Sequence, residues 1–399
     1  MPERLLGVIA EYNPLHNGHH YHLKKAKAET NADLVLVAMS GNFVQRGEPA
    51  LLNKWMRTKL ALQAGADLVI ELPCYFALQS AETFARAGIG LLNVCGINCL
   101  SFGSESGDLA TLSRLAEIID NPETQNTIKT TLSSGITYAR AVQTAVERNN
   151  LSSASASRLM SGANNILGIE YIRAARALGA NLDFHTVLRT GPGHHSTEPH
   201  AYGSATAIRQ AVQQGRMKDA CKMLPSGVQA TFFTALDEQG PVFISNFAQI
   251  IFHKLRTSDA EQLRRLQSIS EGLENRFKNH AWTTNDLYEF LRLVKTKRYP
   301  RTRLQRILMQ LMLDFENIPQ PKTYTPYIRV LGYTAQGRSL AKRLAGGKIP
   351  VIFSPAKDAN RLDITARALL NLDLRAGDYY SLATRKPLPM ELTLQPIEG

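Results

Sequence analysis

The sequence predicts an α/β protein in which a Rossmann-like domain with a parallel sheet is followed by a mainly α-helical C-terminal domain. Up to about residue 220, short β-branched segments alternate with helical patterns, which is typical of a parallel sheet covered by helices. Beyond about residue 225, apolar residues recur at spacings of three and four, which predicts helices. The chain has 399 residues, more than a single hydrophobic core usually serves. We therefore expect two domains, over residues 1–222 and 223–399.

Five segments of the first domain are predicted to be strands, because each is rich in apolar and β-branched residues. In chain order they read "LLGVIAEY", "ADLVLVAMS", "ADLVIELP", "CLSFGSE" and "NLDFHTVLR". Helices are predicted between them: from about His16, in "KWMRTKLALQAG", in "SAETFARAGIGLL", in a more polar stretch over 108–150 and in "NNILGIEYIRAARALG". The last helix of the domain, "SATAIRQAVQQG", begins on a Ser or Thr cap.

The second domain shows the helical period in "IIFHKLR", "LYEFLRLV" and "LQRILMQLML". A break at "NIPQPKTYTPY" precedes a last segment that is predicted to be helical and mixed. The sequence contains no internal repeat and no low-complexity tract.

The positive charge of the chain is concentrated in its C-terminal half. The formal net charge is +12, and residues 251–350 hold 19 Lys and Arg against 8 Asp and Glu. Such an excess favours a polyanionic partner, although a charged stretch is often only a solvated helix face. We expect RNA to contact the densest segment, "KTKRYPRTRLQR", with Tyr299 as a candidate stacking residue. Its candidate phosphate contacts are Lys295, Lys297, Arg298, Arg301 and Arg303.

The sequence indicates a soluble, cytoplasmic protein. No apolar run reaches the roughly 18 residues that a membrane span needs, and the first strand begins almost at the initiator methionine. The four cysteines are expected to be buried apolar thiols, because "CGINC" has no matching second pair that would complete a zinc site.

The histidines of "HNGH" begin the first helix, directly after the first strand. Ligands of an open parallel sheet bind beyond the carboxyl ends of its strands, and the N–H groups of a helix N-terminus attract anions. Gly18 would let a phosphate approach the backbone, and His16 and His19 lie on one helical face. A metal site is the weaker interpretation, since the spacing and the acidic partner of the HExxH motif are absent. His20 and His22 are expected to lie on the helix surface or in packing.

The segment "SATAIR" opens a late helix and provides a second candidate phosphate contact. Ser204 and Thr206 would hold the leaving phosphates, and Arg209 would neutralise them. Taken alone, the segment fits an ordinary capped helix slightly better. Together with "HNGH", it favours a nucleotide site.

The segments "YNPLHNGH" and "SATAIR" resemble the two signatures of the HxGH nucleotidyltransferase superfamily. The resemblance implies a Rossmann-like sheet and attack on the α-phosphate of ATP with loss of pyrophosphate. The chain has Ala10 and Glu11 where the superfamily usually has Gly and Thr, so it differs from a typical nucleotide adenylyltransferase.

A longer resemblance covers almost the whole chain. The segments "AEYNPLHNGH", "MSGNFVQRGEPA", "ADLVIELP", "ALQSAE", "LSFGSE", "NNILGIEY" and "TRLQRILMQLML", in this order, resemble the bacterial tRNA(Met) cytidine acetate ligase family. This resemblance implies that ATP adenylates acetate and that the acetyl group passes to the exocyclic amine of the wobble cytidine of elongator tRNA(Met).

The family's ATP contacts carry over onto four places in this sequence. Asn164 has Asn165 as an adjacent alternative, and the roles of His194 and His195 in "TGPGHH" stay open. The implied contacts are Ile9, Ala10, Glu11, Tyr12, Asn13, Pro14, Leu15, His16, Asn17, Gly18, His19, His20, Tyr21, His22, Gly103, Asn164 and Arg189.

The chemistry of this reaction suits the residues present. The amine of cytosine is a poor nucleophile, so acetate must first be activated, and His16 and His19 would stabilise charge on the phosphates. Mg²⁺ is expected on ATP, held mainly by the nucleotide itself. No glycine-rich coenzyme A loop and no Ser/His/Asp or Cys/His nucleophile arrangement is visible. The candidates for the acetate and cytosine neighbourhood are Gly41, Asn42, Gln45 and Arg46, which fit a structured loop equally well.

Two other functions fit parts of the sequence. An adenylyltransferase acting on a small phosphorylated cofactor precursor would explain "HNGH" and "SATAIR" but not the large basic segment. An alternative from a different class is a nucleotide-sensing RNA-binding protein without turnover. No DNA partner is expected, and the sequence does not indicate the oligomeric state.

Overall fold

The computed structural model describes residues 3–133, 136, 138–147, 159–189, 203–270 and 272–399. Its central sheet has eight strands, and a two-stranded hairpin lies beside it. The strands are β1 (Leu5–Ala10), β2 (Leu34–Ser40), β3 (Phe43–Val44), β4 (Glu48–Pro49), β5 (Leu68–Leu72), β6 (Cys99–Ser104), β7 (Asp183–Leu188), β8 (Ile328–Tyr333), β9 (Val351–Ile352) and β10 (Ile397–Glu398).

Helices cover the sheet and form the segment between β7 and β8. Three short 3₁₀ turns, at Ile244–Phe247, Phe315–Asn317 and Ala359–Arg361, accompany them. The described α-helices are α1 (Asn17–Glu29), α2 (Lys54–Gln63), α3 (Cys74–Ala77), α4 (Ala81–Val94), α5 (Leu109–Asp120), α6 (Pro122–Ser133), α7 (Tyr138–Glu147), α8 (Ala163–Ala177), α9 (Ala205–Gln213), α10 (Met217–Lys222), α11 (Ser226–Gln239), α12 (Ala248–Thr257), α13 (Ala260–Arg264), α14 (Leu273–Ala281), α15 (Leu287–Val294), α16 (Arg301–Met312), α17 (Ala335–Ala345), α18 (Pro355–Asp358) and α19 (Ile364–Ser381).

The five strands that the sequence predicts form one parallel sheet, in the order β5-β2-β1-β6-β7. This confirms the Rossmann-like prediction. The strand order reverses at β1, between β2 and β6, and such a reversal opens a crevice at the carboxyl ends of the strands. The helices predicted between the strands and the three named helices of the C-terminal part are also present.

The last part of the chain adds strands to this same sheet. Strand β8 pairs with β5 in the antiparallel direction, and β9 and β10 pair with the other edge of β8. The sequence predicts only a helical and mixed segment here, because β9 and β10 have two residues each and leave no periodic pattern. The boundary at residues 222 and 223 stays a prediction, but the sheet takes strands from both sides of it.

Apolar residues fill both faces of the sheet. In β2, Leu36 and Ala38 point into one core, whereas Val35 and Val37 point into the other. The first core continues without a break into the helical segment, where it includes Phe290. The helices after β7 therefore share their core with the sheet. Three of the four cysteines are buried as expected, and Cys221 is half-buried.

A ring of four buried charges joins β8 and the C-terminal segment at Glu391 to α2 and β5. Lys54 of α2 lies 2.8 Å from Glu71 of β5 and 2.9 Å from Glu391. Arg329 of β8 lies 3.1 Å from Glu71 and 2.9 Å from Glu391. The four side chains are 1–6% exposed. Burial disfavours the charged forms, but the neighbouring charges outweigh it, so that the pKa of Arg329 is raised and that of Glu391 is lowered.

Replacing Arg329 with Met leaves Glu71 and Glu391 with one cation between them. We expect the free energy of unfolding, measured by urea denaturation, to fall by about 3–5 kcal/mol, because breaking a buried pair leaves an uncompensated buried charge. The control is Arg338→Met, which removes an exposed cation 3.8 Å from Glu398 and should change the same quantity by less than about 1 kcal/mol. Equal losses in the two variants would contradict this account of the ring.

Candidate functional site

A cavity of about 400 Å³ lies at the carboxyl ends of β1, β6 and β7, where the strand order reverses. Its wall includes the start of α1, the start of α9 and two side chains of α16. The structure thus brings most of the sequence-predicted residues together. Those that line the cavity are Ile9, Ala10, Glu11, Tyr12, Asn13, His16, Gly18, His19, Tyr21, His22, Gln45, Arg46, Gly103, Asn164, Arg189, Ser204, Thr206 and Arg209.

The turn between β1 and α1 is tied to the neighbouring elements. The Asn13 side-chain oxygen accepts a hydrogen bond from the Leu51 N–H at 2.8 Å, and the Asn13 carbonyl accepts one from the Arg209 guanidinium at 2.7 Å. Tyr12 has a positive φ of 46° and packs edge-on against the ring of His19. The turn is therefore held against α9, which carries the second predicted signature.

His16 is the N-cap residue of α1. Its Nδ1 atom accepts a hydrogen bond from the Gly18 N–H at 3.0 Å, so in the neutral ring the proton is on Nε2, which can donate to a ligand. The rings of His16 and His19 stack with their centroids 3.7 Å apart. A Cβ atom at position 18 would lie 2.9 Å from Cε1 of His16, so glycine is needed there for the capping ring. Both histidines face the cavity from one helix end.

The second helix N-terminus, that of α9, lines the same cavity. The Ser204 hydroxyl caps α9 by accepting a hydrogen bond from the Ala207 N–H at 3.1 Å, as the capped-helix interpretation predicts. Thr206 lines the cavity, and Arg209 lies 2.9 Å from Glu48 while it also holds the carbonyl of Asn13. The two helix ends therefore direct N–H groups and a guanidinium at one space, an arrangement suited to polyphosphate.

His22 lines the cavity as a neutral ring. Its Nε2 atom lies 2.9 Å from the Ser101 hydroxyl, which in turn lies 3.0 Å from Nδ1 of His185. Burial, together with His185, lowers the pKa of His22 to about 4. His22 therefore carries no positive charge toward a ligand at neutral pH.

Asn164 and Asn165 make different contacts with the loop after β6. Asn165 is 2% exposed, and its side-chain oxygen accepts the N–H groups of Glu105 and Ser106 at 3.0 and 3.3 Å. Asn164 lies in the cavity wall and donates from its side chain to Glu105 at 2.6 Å. Burial raises the pKa of Glu105, but the hydrogen bonds from both asparagines outweigh it and leave the pKa lowered. His194 and His195 lie outside the described residues.

Several predicted residues lie outside the cavity wall. Asn17 bonds to the carbonyl of Lys222, and His20 bonds to that of Ala64 at 3.1 Å. Pro14 and Leu15 are buried. Gly41 and Asn42 are also buried and away from the cavity; the Asn42 side chain accepts the Lys54 N–H at 2.7 Å. The positions of Gly41 and Asn42 therefore agree with the structured-loop interpretation.

A buried arginine holds the ends of β1 and β2 together. Arg57 is fully buried and donates to the carbonyls of Glu11 at 2.6 Å, Ser40 at 3.0 Å, Leu52 at 3.0 Å and Gly41. Burial lowers its pKa to about 10, so the guanidinium remains charged at neutral pH. All four acceptors are backbone carbonyls, so the arginine fixes the path of the chain beside the cavity.

Helix α16 contributes two cavity residues that no sequence motif assigns to the nucleotide site, Thr302 and Arg306. Arg306 donates to the carbonyl of Gln45 at 3.2 Å, and burial, with Arg303 nearby, lowers its pKa to about 10. A Cβ atom at Gly47 would lie 2.2 Å from the backbone nitrogen of Arg306. The hairpin of β3 and β4 therefore packs tightly on α16. Arg306 belongs to the basic segment, but no local pattern shows that it turns toward the sheet.

The predicted RNA-contacting residues lie just before and within the start of α16, outside the cavity wall. Lys295, Lys297 and Arg301 are exposed, and Arg298 is half-buried. Arg303 is half-buried and donates to the carbonyl of Ser268 at 3.1 Å. The prediction that Tyr299 stacks on a base was wrong, because the ring is 6% exposed and its hydroxyl donates to the carbonyl of Ser270 at 2.7 Å.

The described residues contain no group of three or more His, Cys, Asp or Glu side chains that could hold a metal ion. Over the same ranges, no helix combines the length and the apolar content needed to cross a membrane.

The Rossmann-like sheet and the two helix ends at one cavity define a nucleotidyltransferase site. A model of the HIGH Nucleotidyl Transferase family matches residues 3–393, and the chain belongs to this family. Within it, the chain belongs to the tRNA(Met) cytidine acetate ligases. It is 37% identical to the tRNA(Met) cytidine acetate ligase of Caldanaerobacter subterraneus subsp. tengcongensis over 385 residues, which are 95% of either chain. It is 35% identical to that of Bacillus licheniformis, over 98% of this chain and 95% of the other.

Solved structures agree with this assignment. A crystal structure of Thermotoga maritima TmcAL without ligand superimposes with a TM-score of 0.92 at 31% identity, over 99% of each chain. A second crystal structure of that protein, bound with alpha-thio ATP, superimposes with a TM-score of 0.89 at 32% identity, also over 99% of each chain.

The two adjacent asparagines of α8 should respond differently to the same substitution. Asn165→Ala leaves two N–H groups of the β6 loop without their acceptor, and we expect a loss of about 1–3 kcal/mol in the free energy of unfolding. Asn164→Ala removes one partly exposed hydrogen bond and should cost less than about 1 kcal/mol. Urea denaturation of both variants measures the difference, and a larger loss in Asn164→Ala would refute this assignment.

Proposed function

We propose that this protein is an ATP-dependent ligase that forms acetyl-AMP from acetate and ATP and transfers the acetyl group to N4 of the wobble cytidine of elongator tRNA(Met), giving N4-acetylcytidine. The observation that carries the proposal is the cavity between the capped N-termini of α1 and α9, in a chain whose relatives are named tRNA(Met) cytidine acetate ligase. The ATP-analogue complex of Thermotoga maritima TmcAL supports ATP as the nucleotide.

The cavity wall supplies what adenylation of acetate requires. An acetate oxygen attacks the α-phosphorus of ATP in line with the leaving pyrophosphate, and the developing negative charge spreads over phosphate oxygens. His16, through Nε2, and His19 would donate from one side, while Thr206 and Arg209 would hold the phosphates from the other. No protein nucleophile is needed, because acetate itself attacks.

Mg²⁺ would enter with ATP and neutralise charge on its phosphate oxygens. The described residues provide no cluster of metal-ligating side chains, which suits an ion held mainly by the nucleotide and water.

The acetate and the target cytosine would occupy the part of the cavity between Arg46, Gln45 and α16. Thr302 and Arg306 line this part, and the exposed Lys295, Lys297 and Arg301 lie just before it in sequence or on the first turn of the same helix. RNA held by the basic residues would therefore have the cavity mouth within reach of its anticodon loop. The remaining predicted contacts, Arg298 and Arg303, would add to this surface. The reaction would take place in the cytoplasm, where tRNA is found.

The function is tested by incubating the protein with ATP, Mg²⁺, labelled acetate and bacterial tRNA. We expect ATP-dependent label in RNA, recovered after nuclease digestion as N4-acetylcytidine. His16→Ala should lower the rate by about 100-fold or more, because it removes both the cap of α1 and a phosphate donor. The exposed His253→Ala provides the matched control and should retain the rate of the unmodified protein.

Two outcomes would replace the proposal. Absence of label in RNA, with pyrophosphate released only when a small phosphorylated acceptor is supplied, would make the protein a small-molecule adenylyltransferase. Binding of ATP and tRNA without any turnover would make it a nucleotide-sensing RNA-binding protein.

A triple substitution tests the basic surface separately from the chemistry. Replacing Lys295, Lys297 and Arg301 with Ala should weaken tRNA binding and lower the slope of log affinity against log salt concentration by about two to three, because fewer counterions are released. Acetate-dependent exchange between ATP and pyrophosphate should be unchanged. The matched control replaces three exposed cations outside the basic segment, Lys59, Arg114 and Lys129. An equal effect on the salt slope in this control would mean that the surface is not specific.

A further inference from the structure

Glu11 is the carboxylate of the cavity wall. Among the described lining residues it is the one acid, whereas Arg46, Arg189, Arg209 and Arg306 line the same space. It follows β1 directly and stands where the superfamily that the chain resembles usually has Thr. Phosphate binding does not require a carboxylate, which would repel the nucleotide. The presence of this residue in a phosphate-binding cavity therefore calls for a chemical role.

The neighbouring hairpin holds the Glu11 carboxylate in place. Its Oε1 atom accepts a hydrogen bond from the Gln45 N–H at 2.8 Å, and the Glu11 carbonyl accepts one from Arg57 at 2.6 Å. The carboxylate takes part in no ion pair among the described residues. One oxygen is thus held by the hairpin while the group remains in the cavity wall.

Charged residues from two parts of the cavity wall act on Glu11. Arg209 acts on it from α9, the helix that would hold phosphate, and Arg46 acts on it from the loop that contacts α16. The other charged or titratable groups that face it are Glu48 of β4, Arg57 of α2 and Tyr171 of α8. Burial raises the pKa of the Glu11 carboxyl above its ordinary value, with Arg46 opposing this shift and Glu48 adding to it. The carboxylate is therefore a stronger base than an exposed one.

The second half of the proposed reaction needs such a base. When N4 of cytidine attacks the acetyl carbonyl carbon of acetyl-AMP, a C–N bond forms, and the C–O bond to the phosphate breaks with its electron pair going to AMP. The attacking nitrogen must lose one proton to become a neutral amide. With RNA covering the cavity, bulk water has limited access to that proton.

We propose that Glu11 is the general base that removes the N4 proton of the cytidine during acetyl transfer. This inference rests on the proposed function, and it assigns to Glu11 a step that is separate from acetate adenylation. The proton passes from N4 to a Glu11 carboxylate oxygen, AMP leaves as the phosphate anion, and the carboxyl returns its proton to water when the RNA dissociates.

The test separates the two half-reactions in the full-length protein. Glu11→Gln keeps the shape and an oxygen for the Gln45 N–H but removes the base. We expect single-turnover transfer from synthetic acetyl-AMP to tRNA(Met) to fall by about 100-fold or more, and acetate-dependent exchange between ATP and pyrophosphate to fall at least about tenfold less than transfer does. Glu117→Gln, which changes an exposed carboxylate paired with Arg176, is the matched control and should retain both rates.

Two other results would overturn the role of Glu11 as a general base. Transfer within about threefold of the original rate in Glu11→Gln would exclude a general base at this position. An equal loss of exchange and transfer would assign Glu11 to nucleotide binding or adenylation instead. Failure of the unmodified protein to acetylate RNA at all would instead refute the proposed function, which keeps the two failures distinguishable.

A pH profile of the unmodified protein tests the role without any variant. Because a base must be ionised, transfer from acetyl-AMP should slow as the pH falls through the raised pKa of Glu11 and should level off above it. Glu11→Gln should lose this limb, whereas the control should keep it. A transfer rate of the unmodified protein with no acid limb at any pH at which the protein stays folded would overturn the assignment, even if Glu11→Gln does not fold.

Discussion

The buried ring of Lys54, Glu71, Arg329 and Glu391 is the interaction on which the arrangement of the molecule depends. Two cations and two carboxylates alternate, so each charge has two partners within 3.1 Å and none is left uncompensated in the core. The ring requires β8 to lie beside β5, so the helical segment between β7 and β8 has to lead the chain back to that edge of the sheet. Through α2 it also positions Arg57, whose guanidinium fixes the carbonyls at the ends of β1 and β2. The ring thus supports the cavity from the core, although none of its four residues lines the cavity wall.

Much of the fold could be predicted from the sequence, because its strands are strongly patterned. Segments such as "LVLVAMS" are apolar on both faces, as a parallel strand covered by helices must be, and turn residues separate them from the helices. Strand β8 was not predicted, since its pairing with β5 depends on Glu71 and Arg329, which lie far apart in sequence. Ionic pairs of this kind leave no periodic signal. The two-residue strands β9 and β10 are too short to leave one.

The site was predictable where its residues lie close together in sequence. The helix caps at His16 and Ser204 follow from local chemistry, and the topology then brings both to one cavity. Residues whose contacts are distant in sequence were harder to assign to the site. Thr302 and Arg306 reach the cavity only because α16 packs against the hairpin, and Tyr299 turns inward to bond Ser270, which the charge pattern around it does not indicate. Asn42, in the loop after β2, looks polar in sequence but serves as a buried acceptor.

The antiparallel attachment of β8 also affects how the chain can be made. As the protein is synthesised, β5 is complete long before residues 328–333 exist, so the growing chain carries a sheet whose β5 edge has unpaired N–H and C=O groups. At that stage Glu71 also lacks its guanidinium partner. An open apolar edge of this kind favours association between chains. Completion of β8, rather than of the first two hundred residues, is therefore the step at which the β5 edge can be covered, and a product truncated before β8 would be left prone to aggregation.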